Sequence, residues 1–179
     1  NARTAADLLL SSLSQANELV SSFKQVAVDQ ASSQRRRFDL KLVVEEVTAT
    51  LTPIIKKTPF RLHLELAGKL AMDSYPGPVG QVVTNLVMNS LTHAFEGRET
   101  GNMTLAARKR GQRQVEIVYA DDGVGISGSD MQRIFDPFFT TKLGRGGSGL
   151  GLHIVYNLVT RVLGGRIKAS SELGGGTRF

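Results

Sequence analysis

Asn85 and Asn89 stand four residues apart in an apolar stretch, so a helix there turns both amides to one face. An amide oxygen is a hard, neutral donor of the kind Mg²⁺ accepts when water and phosphates complete its shell. Alone, such a pair is more often solvated or bonded back to its own helix. A second group lies in Val118-Tyr-Ala-Asp-Asp-Gly-Val-Gly-Ile126, where a strand runs into carboxylates and then glycines. A carboxylate fixed at Asp121 can accept a hydrogen bond from an exocyclic amine, and Gly123 and Gly125 let backbone approach a flat ligand. Adenine carries that amine and guanine an oxygen in its place, so the carboxylate discriminates between them. A plain Asp-Gly turn is the competing account.

A third group, Gly144-Arg-Gly-Gly-Ser-Gly-Leu-Gly-Leu152, holds five glycines in eight residues and leads into an apolar helix. Unpaired backbone N–H groups at a helix N-terminus attract anions, and a polyphosphate is the natural candidate. The segment lacks the Gly-Lys-Ser/Thr ending of a P-loop, and no strand precedes it as in a dinucleotide turn. Upstream, Ile134-Phe-Asp-Pro-Phe-Phe-Thr-Thr-Lys142 places Phe135, Phe138 and Phe139 where they can pin one end of a lid, with Lys142 in reach of phosphate. Ordinary core packing accounts for the phenylalanines as well.

These groups need elements to position them. From Asp39, an expected N-cap, apolar residues at Leu40, Val43, Val44, Val47, Leu51, Ile54 and Ile55 predict a helix that Pro53 kinks or interrupts. Residues 60 to 66 alternate, with Leu62, Leu64 and Leu66 opposite Arg61, His63 and Glu65, and predict a half-buried strand. After the punctuation at Pro76-Gly-Pro78, a helix is expected over 79–95. Strands are expected over 103–107 and 115–120 with a turn at Gly111, a helix over 150–163 ending at Gly164-Gly165, and closing strands over 166–170 and from Thr177 onward. This order predicts an α+β domain, a two-layer sandwich with helices covering one face of a mixed sheet. Ahead of it, Ala2, Ala6, Leu9, Leu13, Ala16, Val20, Phe23 and Ala27 recur at 4-3-4-3 spacing and predict one long helix. Its stripe is wide enough to require a bundle partner, supplied by dimerisation or by a preceding helix. Gln30 to Arg37 is expected to form a hinge, so the domains divide as 1–37 and 38–179.

The chain has 179 residues, 41% of them hydrophobic and 21% charged, which is enough for one domain with an appendage and excludes a long multidomain enzyme. The composition matches neither a disordered nor a collagenous chain, and no apolar run is long enough to insert in a membrane. The absence of cysteine removes disulfides, thiolate metal sites and thiol nucleophiles together. A net charge of +6 invites a nucleic-acid reading. Its basic clusters, Arg35-Arg-Arg37, Lys56-Lys57 and Arg108-Lys-Arg110, sit on separate elements without interleaved aromatics, so no nucleic-acid partner is expected. The end at Phe179 reads as that of a fragment.

Asn85-Leu-Val-Met-Asn89, Asp121-Asp-Gly-Val-Gly125, Phe135-Asp-Pro-Phe-Phe139, Gly147-Ser-Gly-Leu-Gly151 and Gly174-Gly-Gly-Thr177 resemble, in order and spacing, the N, G1, F, G2 and G3 boxes of sensor histidine kinase catalytic domains. The resemblance covers residues 38 to 179. Residues 1 to 37 are similar to the second helix of that family's dimerisation and phosphotransfer hairpin. What the resemblance implies is the Bergerat ATP-binding sandwich of the GHKL superfamily, with Mg²⁺ and ATP bound under a mobile lid. It also implies phosphoryl transfer to a histidine and onward to an aspartate in the receiver domain of a response regulator. Asn89 resembles the Mg²⁺ ligand with Asn85 beside it, Asp121 the adenine-binding aspartate, and Thr177 a hydroxyl near the base. The implied nucleotide contacts extend to His93, Gly123, Gly125, Ile126, Thr140, Thr141, Lys142, Gly147, Ser148, Gly149, Leu150 and Gly151. Thr92 stands where the family often has Lys, and Ser90 replaces the usual Ala.

In related ATP hydrolases such as gyrase, a glutamate one turn before the Mg²⁺-binding asparagine resembles a general base for water. Asn85 holds that position here, which favours positioned transfer to another nucleophile over hydrolysis. The acceptor histidine of such a kinase belongs to the first helix of the hairpin, and none of His63, His93 and His153 fits that description. The chain is therefore expected to bind ATP without phosphorylating itself, to dimerise through its N-terminal helix, and to be a cytoplasmic piece of a parent that can be membrane-anchored. Other readings of the same boxes are an ATP-binding interaction module and a GHKL ATPase or serine kinase.

Overall fold

The computed structural model describes residues 34–112, 114–141 and 147–179. The helix expected over residues 2–27 and the first half of the expected hinge, residues 30–33, lie outside the described residues. A short strand, β1 (Arg36–Asp39), begins inside the segment read as hinge and pairs antiparallel with β3 (Ala71–Ser74), from Arg36 opposite Ser74 to Asp39 opposite Ala71. Four-residue strands without alternation leave no periodic signal, and neither was expected.

Helix α1 (Leu40–Ile55) is capped by Asp39, whose Oδ1 accepts from the backbone of Lys41 and of Leu70, each at 3.1 Å. One cap thus starts the helix and ties it to the approach of β3. Leu40, Val44, Thr48, Leu51 and Ile55 form its buried stripe. Pro53 does not interrupt it: the ring sits in the last turn, and Lys56 N still reaches Thr52 O at 2.9 Å. Strand β2 (Phe60–Leu66) follows, and helix α2 (Pro76–Asn89) begins at Pro76 rather than after Pro78. A proline in the first turn forfeits no intrahelical bond and arrives with helical φ, so the pair that looked like punctuation starts the helix. The helix continues through a wider π turn at Ser90–Ala94.

β4 (Gly101–Arg110) and β5 (Gln114–Asp121) are joined through Gly111 at φ +66°. A four-residue helix α3 (Gly128–Met131) precedes the phenylalanine segment, and helix α4 (Gly151–Asn157) runs into a π turn at Leu158–Val162. β6 (Ser170–Glu172) and β7 (Gly176–Arg178) close the fold; the strand expected over 166–170 is realised only from Ser170. The five-stranded sheet has the order β2-β4-β5-β7-β6, with β2 and β4 parallel and every other pair antiparallel.

Alternation on β4 buries Gly101, Met103, Leu105 and Ala107. They share one core with Val79, Val83, Leu86 and Val87 of α2, with Leu40 and Val44 of α1, and with Val155 of α4. Helices therefore cover one face of a mixed sheet, the two-layer α+β sandwich the sequence predicts. Because β5 pairs with β4 in the register Leu105 opposite Tyr119 and Met103 opposite Asp121, the strand delivers Asp121 to the covered face at its end. The site is built there.

Candidate nucleotide site

Asp121 is buried, and each of its oxygens has partners. Oδ1 accepts from Gly123 N at 3.0 Å and Thr177 N at 3.3 Å, while Oδ2 accepts from Ser90 Oγ at 2.8 Å. Burial pushes its carboxyl above the ordinary aspartate range, and these hydrogen bonds resist the rise. Ser90 follows the buried Leu86 and Val87 at helical spacing, with its N–H still bonded to Leu86 O, so it lies on the covered face and only 3% of it is exposed. Behind it the Tyr119 hydroxyl donates to Ser90 Oγ at 2.8 Å.

The loop after Asp121 is strapped down from two sides. Ile126 N donates to Ser171 Oγ at 2.8 Å, and Ser171 Oγ donates to Gly176 O at 2.6 Å beside Thr177 Oγ1 at 2.9 Å. Arg98 Nη2 donates to Gly123 O at 3.0 Å and Gly174 O at 3.4 Å. At Gly125, φ is +74° and a side chain would strike the Glu172 carbonyl, so glycine is required. Asp122 faces away: Asn102 donates to it from N at 2.7 Å and from Nδ2 at 2.8 Å. Burial works against that charge, but these bonds and Arg98 outweigh it and hold the carboxyl below its usual range.

Asn85 and Asn89 lie on α2, both half-buried. The Nδ2 of Asn89 is buried with no hydrogen-bond partner. A buried orphan of this kind calls for a ligand or ion. The glycine-rich segment comes to the same place: a Cβ at Gly151 would lie 2.9 Å from Asn89 Oδ1, and one at Gly147 would lie 2.6 Å from Thr140 Oγ1 and 3.2 Å from His93 Cε1. His93 and Thr140 thus border the glycines, while Thr141 is exposed beside them. Ser148 Oγ accepts from Leu150 N at 3.4 Å at the entrance to α4. Gly149 has φ +67°, and a side chain there would collide with the Phe138 backbone. A hard amide oxygen on Asn89, its unpaired N–H and backbone kept bare of side chains suit a Mg²⁺-bound polyphosphate. Lys142 and residues 143–146 lie outside the described residues.

The phenylalanines divide their tasks. Phe135 packs against Tyr156 at 5.3 Å and Phe179 at 6.5 Å, and Phe139 lies under Arg133 at 4.7 Å. Phe138 is no anchor by its ring, which is 57% exposed; its backbone, at φ +66°, forms the seat for Gly149. The histidines are equally separate. His63 contacts Asn102 at the surface, and His153 lies between Phe135 O and Asn157 Nδ2, each at 2.9 Å.

Sequence reasoning did not assign roles to Tyr119, Ser171 or Arg98, and treated Ser90 only as a departure from a family pattern. A signal existed for Tyr119, since residues two apart on a strand share a face and Tyr119 must stand behind Asp121. None existed for Arg98, whose partners are backbone carbonyls distant in sequence.

Residues 75–179 match the family described as histidine kinase-, DNA gyrase B- and HSP90-like ATPase. The chain belongs to this family. Among its relatives, the alginate biosynthesis sensor protein KinB of Pseudomonas aeruginosa is 41% identical over 101 residues, 56% of this chain and 16% of that protein. The sensor histidine kinase RcsC of Escherichia coli K12 is 31% identical over 165 residues, 88% of this chain and 16% of that protein. The chain therefore spans about a sixth of these relatives' length. Among solved structures, the catalytic domain of histidine kinase ThkA superposes with a TM-score of 0.70 at 25% identity, over 81% of this chain and 91% of that one. ThkA in complex with the response regulator TrrA superposes at 0.67 and 23% identity, over 92% and 47%. The ATPase-family domain is thus of the histidine kinase catalytic type, and Asp121 and Asn89 both fall within the matched residues, at the ends of β5 and α2.

Proposed function

We propose that this chain binds ATP with Mg²⁺ and serves as the catalytic domain of a sensor histidine kinase, passing the γ-phosphoryl group to a histidine that is none of this chain's own three, for relay to a response-regulator aspartate. The observation that carries the reading is the Asp121 carboxylate, buried, held by three hydrogen bonds and aimed from a strand end, with Asn89, the residue beside its partner Ser90, holding a buried Nδ2 that has no hydrogen-bond partner. Asp121 receives the exocyclic amine of adenine. Thr177, Ile126, Gly123 and Gly125 shape the pocket around the base, with Thr177 and Ile126 tied together through Ser171. Asn89, with Asn85 one turn earlier, would hold Mg²⁺, which when bound neutralises phosphate charge. His93, Thr140, Thr141, Lys142 and the backbone from Gly147 to Gly151, with Ser148 and Leu150, border the phosphates. In the transfer itself the bond from γ-phosphorus to the β,γ-bridging oxygen breaks as a bond to imidazole nitrogen forms, and ADP leaves. Because Asn85 is no carboxylate, orientation rather than activation of water is what this chain supplies.

The domain division 1–37 and 38–179, dimerisation through the N-terminal helix and a cytoplasmic, non-inserted position belong to the same proposal. Among the described residues no helix is long and apolar enough to cross a membrane. ThkA, seen with its response regulator, supports the proposed receiver-domain partner.

The test is phosphoryl transfer to a supplied helical hairpin carrying an acceptor histidine. Mg²⁺-dependent, acid-labile phosphate on the hairpin is expected, with a loss of about tenfold or more in Asn89→Ala. Acid-stable phosphate on serine, or ATP binding with no transfer, contradicts the kinase assignment in favour of a serine kinase or an interaction module.

A further inference from the structure

Tyr119 fills part of the core with its ring, but its hydroxyl and that of Ser90 are spent on a buried polar chain that ends on the one carboxylate the proposed function depends on. Asp121 Oδ1 already accepts two backbone hydrogens, from Gly123 at 3.0 Å and Thr177 at 3.3 Å. Each carboxylate oxygen offers about two acceptor sites, so Oδ1 is full. Oδ2 accepts Ser90 Oγ at 2.8 Å and keeps one site. The direction of the chain behind it is fixed as well. Burial pushes the Tyr119 phenol up, so it stays a donor, and it donates to Ser90 Oγ at 2.8 Å. Ser90 has a single proton, and with Tyr119 filling one of its lone pairs that proton goes to Asp121 Oδ2. Both side chains are nearly sealed, at 3% and 1% exposure, so solvent does not compete.

We infer that Ser90 and Tyr119 are positioning residues that hold Asp121 as a one-site acceptor through Oδ2, and that this sets the preference for a 6-aminopurine nucleotide over a 6-oxopurine one. The inference rests on the reading of Asp121 as the base-binding group. An amine at the purine 6-position meets the free acceptor site on Oδ2; an oxygen there meets that lone pair and repulsion. Take away the Tyr119 hydroxyl, and the Ser90 proton is no longer directed: it can swing to a 6-oxo group and relieve the clash. Take away the Ser90 hydroxyl, and the carboxylate loses the bond that sets its rotation, while Tyr119 can turn its own proton toward the vacated position.

The experiment is calorimetric titration of non-hydrolysable ATP and ITP analogues, each with Mg²⁺, into the chain and into Tyr119→Phe, Ser90→Ala, Ser90→Thr and Asp121→Asn, with thermal melting of each. The expected result is a fall in the ATP-to-ITP affinity ratio of about three- to tenfold in Tyr119→Phe and Ser90→Ala, the span of one neutral hydrogen bond, and recovery of most of it in Ser90→Thr. Equal losses for both nucleotides, or an unchanged ratio while Asp121→Asn weakens ATP, overturn the inference and leave the proposed function standing. An ATP affinity indifferent to Asp121→Asn overturns the proposed function itself. A variant that fails to melt cooperatively is set aside for Tyr119→Phe, the smallest change, whose ratio alone decides.

Discussion

Asp121 is held at a cost to the fold. Its folded-state pKa is raised by burial, so below the ordinary aspartate range the carboxyl is neutral in both folded and unfolded chains and costs nothing. As pH rises through the raised value, the folded state has to keep a buried charge that the unfolded chain keeps in water, and stability is lost. At neutral pH Asp121→Asn is therefore expected to leave urea stability unchanged or increased, since an amide oxygen still accepts from Gly123 and Thr177. Destabilisation by more than about 2 kcal/mol would mean the carboxylate is structural, the magnitude of a lost bond to a charged group. A residue that burdens the fold and survives in it is best explained by a ligand. Much of this was legible beforehand: the carboxylate, the glycines and both asparagines declare themselves by type and spacing. Ser90, Tyr119, Ser171 and Arg98 do not, because hydroxyls and a guanidinium that bond to main chain or to each other look like ordinary polar residues until the chain brings them together.

At the scale of elements, the periodic segments were the predictable ones. β2, β4, β5 and α2 alternate or repeat over seven residues or more; burial follows the alternation on β4, while on β2 Leu64 is left exposed although Leu62 and Leu66 on the same face are partly covered. β1 and β3 were invisible because four residues carry no period; Pro76 misled because a proline in a first turn forfeits no intrahelical bond, and Pro53 because it sits in the last turn of α1, where the bonds after it still close. The joint most open to test is that between the phenylalanine and glycine segments. Phe138 sits at φ +66°, a strained setting for a bulky residue, with Gly149 against its backbone. Gly149→Ala puts a Cβ into the Phe138 carbonyl at a left-handed φ, costing about 1–2 kcal/mol locally. The expected outcome is about a tenfold weaker affinity for a Mg²⁺-bound ATP analogue, while the core defined by Leu105 and Val83 keeps its melting temperature. Unchanged affinity would remove the Phe138 seat from the site.

Across the whole molecule, the described residues form a catalytic-type sandwich of the ATPase family, and the wide apolar stripe on residues 2–27 is a separate matter. That stripe predicts a dimer in solution, measurable by light scattering at micromolar concentration; a monomer at all concentrations would contradict the bundle reading. One basic cluster is tied to the sheet surface, since Arg108 and Arg110 both pair with Glu116 across β4 and β5. The claim on which the functional account depends is that an adenine base docks on Asp121. It is tested most directly by calorimetric titration of a non-hydrolysable ATP analogue with Mg²⁺ into the chain and into Asp121→Asn. The account predicts a loss of ~1.5–3 kcal/mol in binding, the scale of a hydrogen bond to a charged group; equal affinities for the two proteins would contradict it.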